Sequence, residues 1–422
     1  MESAKPPTSK SPVRAGLKFG LFVAPYHIPG GNPTLQLDHD VRRARVIEDL
    51  GYDEIWYGEH HSNGVEIIAS PELMIAAAAQ HTNRILLGTG VNSVPYHNPL
   101  ILADRYLQLD HLTKGRFAAG LGPGQLESDI YMMGYKHDVM RDLMEESLRA
   151  LVPLVRGETV TLEAGNFKLR EARLQFGPYT PGGVEMALAS VFTPTGVTLA
   201  GQYGMSILSL AAHDKRGHAV LKELWGMHEK SCAKHGNVPR RDRWRLCTIM
   251  HIAESREQAR RDLEYNILQY QTLFEQLLTI KLPWPSPAAA VDYWIEQSLG
   301  VFGRPIIGTP EDGISAIEEL IETTGGFGTL LLIEQHCASP QAQLKSLELI
   351  ANYIFPHFKG TNKPREEAIA WLSDHQVELA SDRAAAFDKA LKKFGASEEA
   401  REAIQAQWTG EGHKKASKDQ PK

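Results

Sequence analysis

The chain has 422 residues, 42% of them hydrophobic, and a formal net charge of -6. That length and apolar content suffice for a large core, split over two or three domains or held in one enlarged α/β barrel. The mild acidity, with no lysine or arginine run, excludes broad attraction to phosphate backbones or anionic membranes, so neither nucleic acid nor a membrane is an expected partner.

The opening stretch "MESAKPPTSKSPVRAG" is rich in Pro, Ser and Lys and lacks the apolar core of a signal peptide, which predicts a disordered tail over 1–16 and a cytoplasmic protein. No apolar run comes near the roughly 20 residues that a membrane helix needs. Three widely spaced cysteines, Cys232, Cys247 and Cys337, fit reduced thiols better than a disulfide framework or a zinc knuckle.

From residue 17 onward, short apolar runs alternate with long amphipathic stretches. "LKFGLFVA" (17–24), "EIWYGEH" (54–60), "RILLGTGV" (84–91) and "RFAAGLG" (116–122) are strand-length and apolar nearly throughout, as strands buried on both faces are. The segments between them space their apolar residues three and four apart, with Pro near two of the starts and Gly or Asn at the ends, which predicts helices. The alternation continues through "EMALAS", "MSILSL", "RLCTIMHIA" and "GTLLLIEQ", with helical segments around 138–156, 194–203, 213–235, 255–280 and 340–356. Eight strand–helix units with right-handed crossovers predict a (β/α)8 TIM barrel over 17–360, the alternative being an open Rossmann-like sheet.

Two segments interrupt the repeat. Residues 157–184 carry alternation and turn signals, suggesting a small β excursion, and 281–309 form an insertion rich in Pro and aromatic residues. Long insertions on a barrel usually serve its active-site end. Beyond 361 the composition turns charged and alanine-rich, predicting a C-terminal helical extension that ends in a frayed tail at 422.

On such a barrel, chemistry sits at the carboxyl ends of the strands. That rule selects Ala24–Pro25, Glu59–His60, Gly90–Val91–Asn92, Gly122–Pro123–Gly124, Ser190 and His336. Gly90, Gly122 and Gly124 would let a flat ligand approach the backbone without meeting a Cβ, or would merely allow tight turns. "ASVFTPTGVTLAGQYG" follows a strand and opens a helix, placing the hydroxyls of Ser190, Thr193 and Thr195 beside free N–H groups as an anion pocket or as ordinary capping. Arg141 lies on an amphipathic segment where it could pair with a phosphate or be solvated. His60 is placed for proton transfer near neutral pH, or for structural packing. Joint metal binding by Glu59, His60 and His61 is disfavoured, because neighbouring side chains leaving a strand point to opposite faces.

The combination of "LKFGLFVAPY", "GYDEIWYGEHH", "ASPELMIAAAAQHTNRILLGTGV", "YHNPLILADRYLQLDHLTKGRFAAGLGPG" and "IGTPEDGISAIEELIETTGGFGTLLLIEQH" resembles the bacterial luciferase-like flavin monooxygenases, in order, across 17–356. Within that family it is most similar to the alkanal, limonene and diketocamphane monooxygenase branches. The resemblance implies a β/α barrel, a homodimer, and reduced FMN supplied by a separate NAD(P)H:flavin reductase. It also implies activation of O2 as a flavin hydroperoxide and oxygen insertion into a hydrophobic substrate such as a terpenoid, ketone or aldehyde.

By the same resemblance, the family's catalytic histidine falls on His60, a non-prolyl cis peptide behind the flavin ring on Gly90–Val91, a phosphate-binding arginine on Arg141, and an aspartate near the flavin on Asp129. The luciferases' reactive cysteine is Gly122 here and their second phosphate arginine is Pro123, leaving the phosphate to Arg141 and the 190–195 helix start. The aromatic mouth expected to select substrate draws on Phe22, Tyr26, Trp56 and the 281–309 insertion. Three other readings share some of these residues: an F420-dependent oxidoreductase of the same superfamily, a metal-dependent barrel hydrolase, and a non-catalytic flavin-binding homologue, which the presence of His60 disfavours.

Overall fold

Eight of the apolar runs become parallel strands because their side chains meet protein on both faces, leaving only the backbone groups to be paired laterally. In the computed structural model, which describes residues 16–408 apart from Pro25, Phe192, 211–214, 279–283, 297–303 and Gln335, those strands close on themselves. Most of the expected N-terminal tail, the end of the C-terminal tail and parts of the 281–309 insertion lie outside the described residues.

The first half of the chain runs β1 (Lys18–Val23), α1 (Pro33–Asp49), β2 (Glu54–Tyr57), α2 (Pro71–Ala79), β3 (Leu86–Thr89), β4 (Asn92–Ser93), α3 (Pro99–Thr113), β5 (Phe117–Gly122), α4 (Glu127–Met132) and α5 (Met140–Val155). A hairpin of β6 (Val160–Glu163) and β7 (Lys168–Ala172) follows, then β8 (Glu185–Ser190), α6 (Pro194–Tyr203), β9 (Ser206–Leu210), α7 (Lys215–His235) and β10 (Arg245–Thr248). Next come β11 (Met250–Ile252), α8 (Arg256–Leu263), α9 (Ile267–Leu278), α10 (Pro287–Glu296), β12 (Ile306–Gly308), α11 (Pro310–Thr324), β13 (Thr329–Ile333), α12 (Pro340–Leu349) and α13 (Phe355–Lys359).

The hydrogen-bonded order β3-β2-β1-β13-β10-β9-β8-β5, with β5 returning to β3, makes a closed parallel barrel of eight strands ringed by helices, a (β/α)8 TIM barrel. The helices start where the sequence signals: Asn32 and Asn98 accept the N–H groups of Thr34 and Leu100 just ahead of a Pro, and Thr309 forms a capping box with Asp312.

The end of the barrel opposite the candidate site is closed by a buried ion cluster built from the first residues of four strands. Arg245 donates to Glu54 at 2.7 Å and to Glu185 at 2.7 Å, while Glu54 also accepts from the Trp56 indole at 2.9 Å and from Thr329 at 3.1 Å. The guanidinium lies 4.9 Å from the Trp56 ring centroid. Trp56 thus belongs to the barrel interior and not to the mouth where the sequence reading placed it.

Three elements differ from expectation. "RLCTIMHIA" is not one strand: β10 stays in the barrel wall, and β11 leaves it to pair with β12, a strand inside the expected insertion. The run is apolar throughout, so no periodicity marks the change of partner. The 255–280 helix breaks in two around Asn266, whose N–H and side-chain amide donate to the carbonyls of Cys337 and His336. Helix α4 was not expected. The 157–184 excursion is the antiparallel β6–β7 hairpin.

The described residues from 360 onward form a separate compact unit with helices α14 (Lys363–Asp374), α15 (Gln376–Lys393) and α16 (Glu398–Trp408). No helix among the described residues is long and apolar enough to cross a membrane.

Candidate active site at the strand carboxyl ends

Leaving β2, the chain alternates. Glu59 and His61 turn to one side and His60 to the other, as consecutive residues of an extended segment must.

On the first side Glu59 is fully buried and receives four hydrogen bonds: from His61 Nε2 at 2.9 Å, His97 Nε2 at 2.9 Å, Asn92 Nδ2 at 2.9 Å and the Ser93 N–H at 3.0 Å. An ionised carboxylate only accepts, so both imidazoles present N–H at Nε2. Burial alone would raise the Glu59 carboxyl, but the donors outweigh it and hold it at about 2. The bond to Glu59 in turn raises His61 above its ordinary value, against the opposing effect of burial. Asn92 spends its carbonyl on Tyr106 Oη at 3.0 Å, so both ends of its side chain are committed to scaffolding.

On the other side His60 sits between two carboxylates. Its Nδ1 lies 3.1 Å from Asp129 Oδ2 and its Nε2 lies 3.5 Å from Glu66 Oε2. Asp129, buried on α4, also accepts the His61 N–H at 3.0 Å and the Ser62 hydroxyl at 2.5 Å. Glu66 is returned to His60 by a turn in which Asn63 Oδ1 accepts the N–H groups of Val65 and Glu66, and by the bond from His60 N–H to Ile68 O.

Desolvation disfavours the imidazolium of His60, but the charge of Glu66 and the bond to Asp129 outweigh it, and the net shift is upward. Glu66 is itself raised by burial, with His60 pulling against it. Burial likewise opposes ionisation of Asp129, yet its bonds from His60, Ser62 and the His61 N–H keep it below the ordinary range. The arrangement favours the imidazolium of His60, whose side chain is 28% exposed, with a reluctant carboxyl beside it.

The remaining expected residues gather around the same end. The Gly90–Val91 peptide is cis. A Cβ on Gly90 would stand 2.8 Å from the Phe22 ring, and one on Gly122 would stand 2.7 Å from Val91, so the backbone approaches closely where β3 and β5 end. Ser190 ends β8, buried, its hydroxyl only at the 3.5 Å limit of a bond to Thr193 O. Thr193 is the N-cap of α6 without a side-chain bond, and Thr195 lies in the first turn, so the leading N–H groups of that helix are uncapped. Arg141, in the first turn of the neighbouring α5, is half-buried and makes no ion pair among the described residues. No group of three or more His, Cys, Asp or Glu among the described residues could hold a metal ion.

The sequence reading missed Glu66, His97 and the part Glu59 plays as a hub. A turn signal at Asn63 was the only trace of the reversal that returns Glu66. A cavity of about 290 Å³ lies against this loop, lined by Ser62, Asn63, Val65, Glu127, Ser128, Leu273 and Gln276. Two of its lining residues, Val65 and Leu273, belong to a buried cluster whose rings are contiguous: Tyr26 is 4.9 Å from Tyr270, Tyr270 is 5.4 Å from Trp294, and Trp294 is 6.3 Å from Trp284.

The luciferase-like monooxygenase family model matches residues 17–326. The chain is 40% identical over 378 residues to limonene 1,2-monooxygenase of Rhodococcus erythropolis, covering 90% of this chain and 96% of that protein. Among solved structures, the fold is similar to the FMN complex of the oxygenating constituent of 3,6-diketocamphane monooxygenase from Pseudomonas putida, with a TM-score of 0.65, 24% identity, and coverage of 81% and 98%. It is also similar to the coenzyme F420-dependent tetrahydromethanopterin reductase of Methanopyrus kandleri, with a TM-score of 0.61, 19% identity, and coverage of 82% and 100%.

Proposed function

The chain belongs to the luciferase-like monooxygenase family, and from that premise we propose that it is the oxygenating component of a two-component flavin monooxygenase. Reduced FMN would come from a separate NAD(P)H:flavin reductase, O2 would be the co-substrate, and one oxygen atom would enter a hydrophobic small molecule of terpenoid kind. The observation that carries this reading is His60, held by Asp129 and Glu66 beside a buried aromatic wall.

The donor set suits FMN. Arg141 and the uncapped start of α6, with Ser190, Thr193 and Thr195, would hold the phosphate, because free N–H groups at a helix start and an uncommitted guanidinium both favour an anion. Gly90, Val91 and Gly122 would face the ring system. Reduced FMN, when bound, supplies the electrons with which O2 is activated. His60 Nε2 would deliver or retain the proton there, Asp129 fixing the ring through Nδ1. The rings of Tyr26, Tyr270 and Trp294 would keep water out. The names of the relatives above, which concern limonene and diketocamphane, support a terpenoid substrate. Three buried cysteines, none of them in a disulfide, suit the cytoplasm, the location proposed here, and the family resemblance supports a homodimer.

The F420-dependent neighbour shares the barrel and supports a second reading, hydride transfer with a deazaflavin. The two are separated by titrating the protein with FMN and with F420, then mixing it with photoreduced FMN, 18O-labelled O2 and a panel of terpenoid alkenes, ketones and aldehydes. FMN binding with label in a product is expected; tight F420 binding without label incorporation would overturn the oxygenase reading. His60→Ala should still bind FMN but release hydrogen peroxide in place of product, and unchanged coupling would remove His60 from the mechanism.

A further inference from the structure

Three buried hydrogen-bond donors in one aromatic cluster have no partner among the described residues: Tyr26 Oη, Trp284 Nε1 and Trp294 Nε1. Their residues are 6, 7 and 0% exposed. The rings are contiguous, Tyr26 and Trp294 both packing on Tyr270 and Trp284 on Trp294. The run begins next to the proton-handling pair, because Tyr26 is bridged through its backbone to Glu66, whose carboxylate is 3.5 Å from His60.

Buried polar groups are ordinarily paired, since leaving one unpaired forfeits its full solvation. Two buried indoles elsewhere obey that rule: Trp56 donates to Glu54 at 2.9 Å and Trp244 to Ser209 at 3.1 Å. A third unpartnered indole among the described residues, Trp225, belongs to a separate cluster and lies on α7. In the Tyr26 cluster an indole can only donate, and burial together with the negative charge of Glu66 keeps the Tyr26 hydroxyl protonated. The complementary ligand is therefore an acceptor.

We propose that Tyr26, backed by Trp284 and Trp294, receives a carbonyl oxygen of the substrate, so that this protein selects hydrophobic ketones over hydrocarbons of the same skeleton. The inference rests on the monooxygenase reading for the role of the ligand, but not for its binding. The apolar rings supply affinity that does not distinguish the two classes, and the donors supply the difference.

The test uses matched pairs, carvone against limonene and camphor against bornane, bound to the full-length protein with and without oxidised FMN and followed by tryptophan fluorescence. Wild type should bind each ketone more tightly than its hydrocarbon. Tyr26→Phe should weaken ketone binding by roughly three- to tenfold, the worth of one net hydrogen bond, and leave hydrocarbon binding within about twofold; Trp294→Phe should act in the same direction. The melting temperature of Tyr26→Phe should stay at or above that of wild type, because an unpaired hydroxyl has been removed. Equal affinity within each pair, a parallel change in both ligand classes, no ketone binding, or a fall in melting temperature would each overturn the proposal. Failure of the flavin reading would show separately, as absent FMN binding alongside an intact ketone preference.

Discussion

Replacing Glu59 by Gln tests the scaffold that holds the site. The carboxyl is fully buried, accepts four hydrogen bonds and is held at about 2 from an ordinary 4.5. At about 1.4 kcal/mol for each decade of proton affinity, that depression corresponds to roughly 3 kcal/mol of folding stability at pH 7. The amide removes the charge and turns an NH2 toward donors that need an acceptor, so Glu59→Gln should lose roughly 3 kcal/mol.

The folded-state value is depressed, so the contribution is present above pH 4.5 and fades as pH falls toward 2. By linkage, wild type should give up roughly 1 kcal/mol of it by pH 4 and roughly 2 kcal/mol by pH 3. Urea unfolding followed by circular dichroism at pH 7, 4 and 3 measures the gap between wild type and variant directly. It should narrow from roughly 3 to roughly 1 kcal/mol across that range. A gap below about 1 kcal/mol at pH 7, or one that does not narrow in acid, would show that the Glu59 carboxylate does not bear the load assigned to it.

Three further perturbations address the other groups. Glu66→Gln removes the charge that most raises His60, so the imidazole of the variant, followed by ring-proton NMR, should titrate at lower pH than in wild type; an unchanged midpoint would dissociate the pair. Arg141→Ala should weaken FMN by roughly tenfold or more while leaving riboflavin, which lacks the phosphate, unchanged in a fluorescence titration. Arg245→Met leaves the buried Glu54 and the half-buried Glu185 without their cation and should cost roughly 3–5 kcal/mol in urea unfolding, with Glu54→Gln and Glu185→Gln added to it recovering most of the loss.

The barrel was readable because its strands are buried on both faces, which gives strand-length apolar runs that recur with helices between them. The same uniformity hides where a run changes partner. "RLCTIMHIA" carries no mark at Ile249 of the departure of β11 toward β12, and the helix break at Asn266 depends on carbonyls 70 residues away. Helix α4, six residues long, is too short for a periodicity to declare itself, yet it carries Asp129. His60 could be picked out by its place at a strand end. Asp129 was singled out only through family resemblance, since it lies 69 residues from His60 in sequence, while Arg141, on an amphipathic helix, left phosphate pairing and solvation both open until the resemblance chose between them.

The Glu-His-His stretch shows why a motif can be located without its chemistry being legible. Alternation along an extended segment sends Glu59 and His61 to one side, where they bond each other and fix Asn92 and Ser93 just past the cis Gly90–Val91 peptide. It sends His60 alone to the other, where its partners come from a turn and from α4. A metal site would need the two imidazoles to converge, and the backbone separates them. What results is a buried carboxylate anchor and, one residue along, an imidazole set between two carboxylates. The first can be tuned by the barrel wall and the second by the loops, so a change of substrate pocket need not disturb the support beneath it.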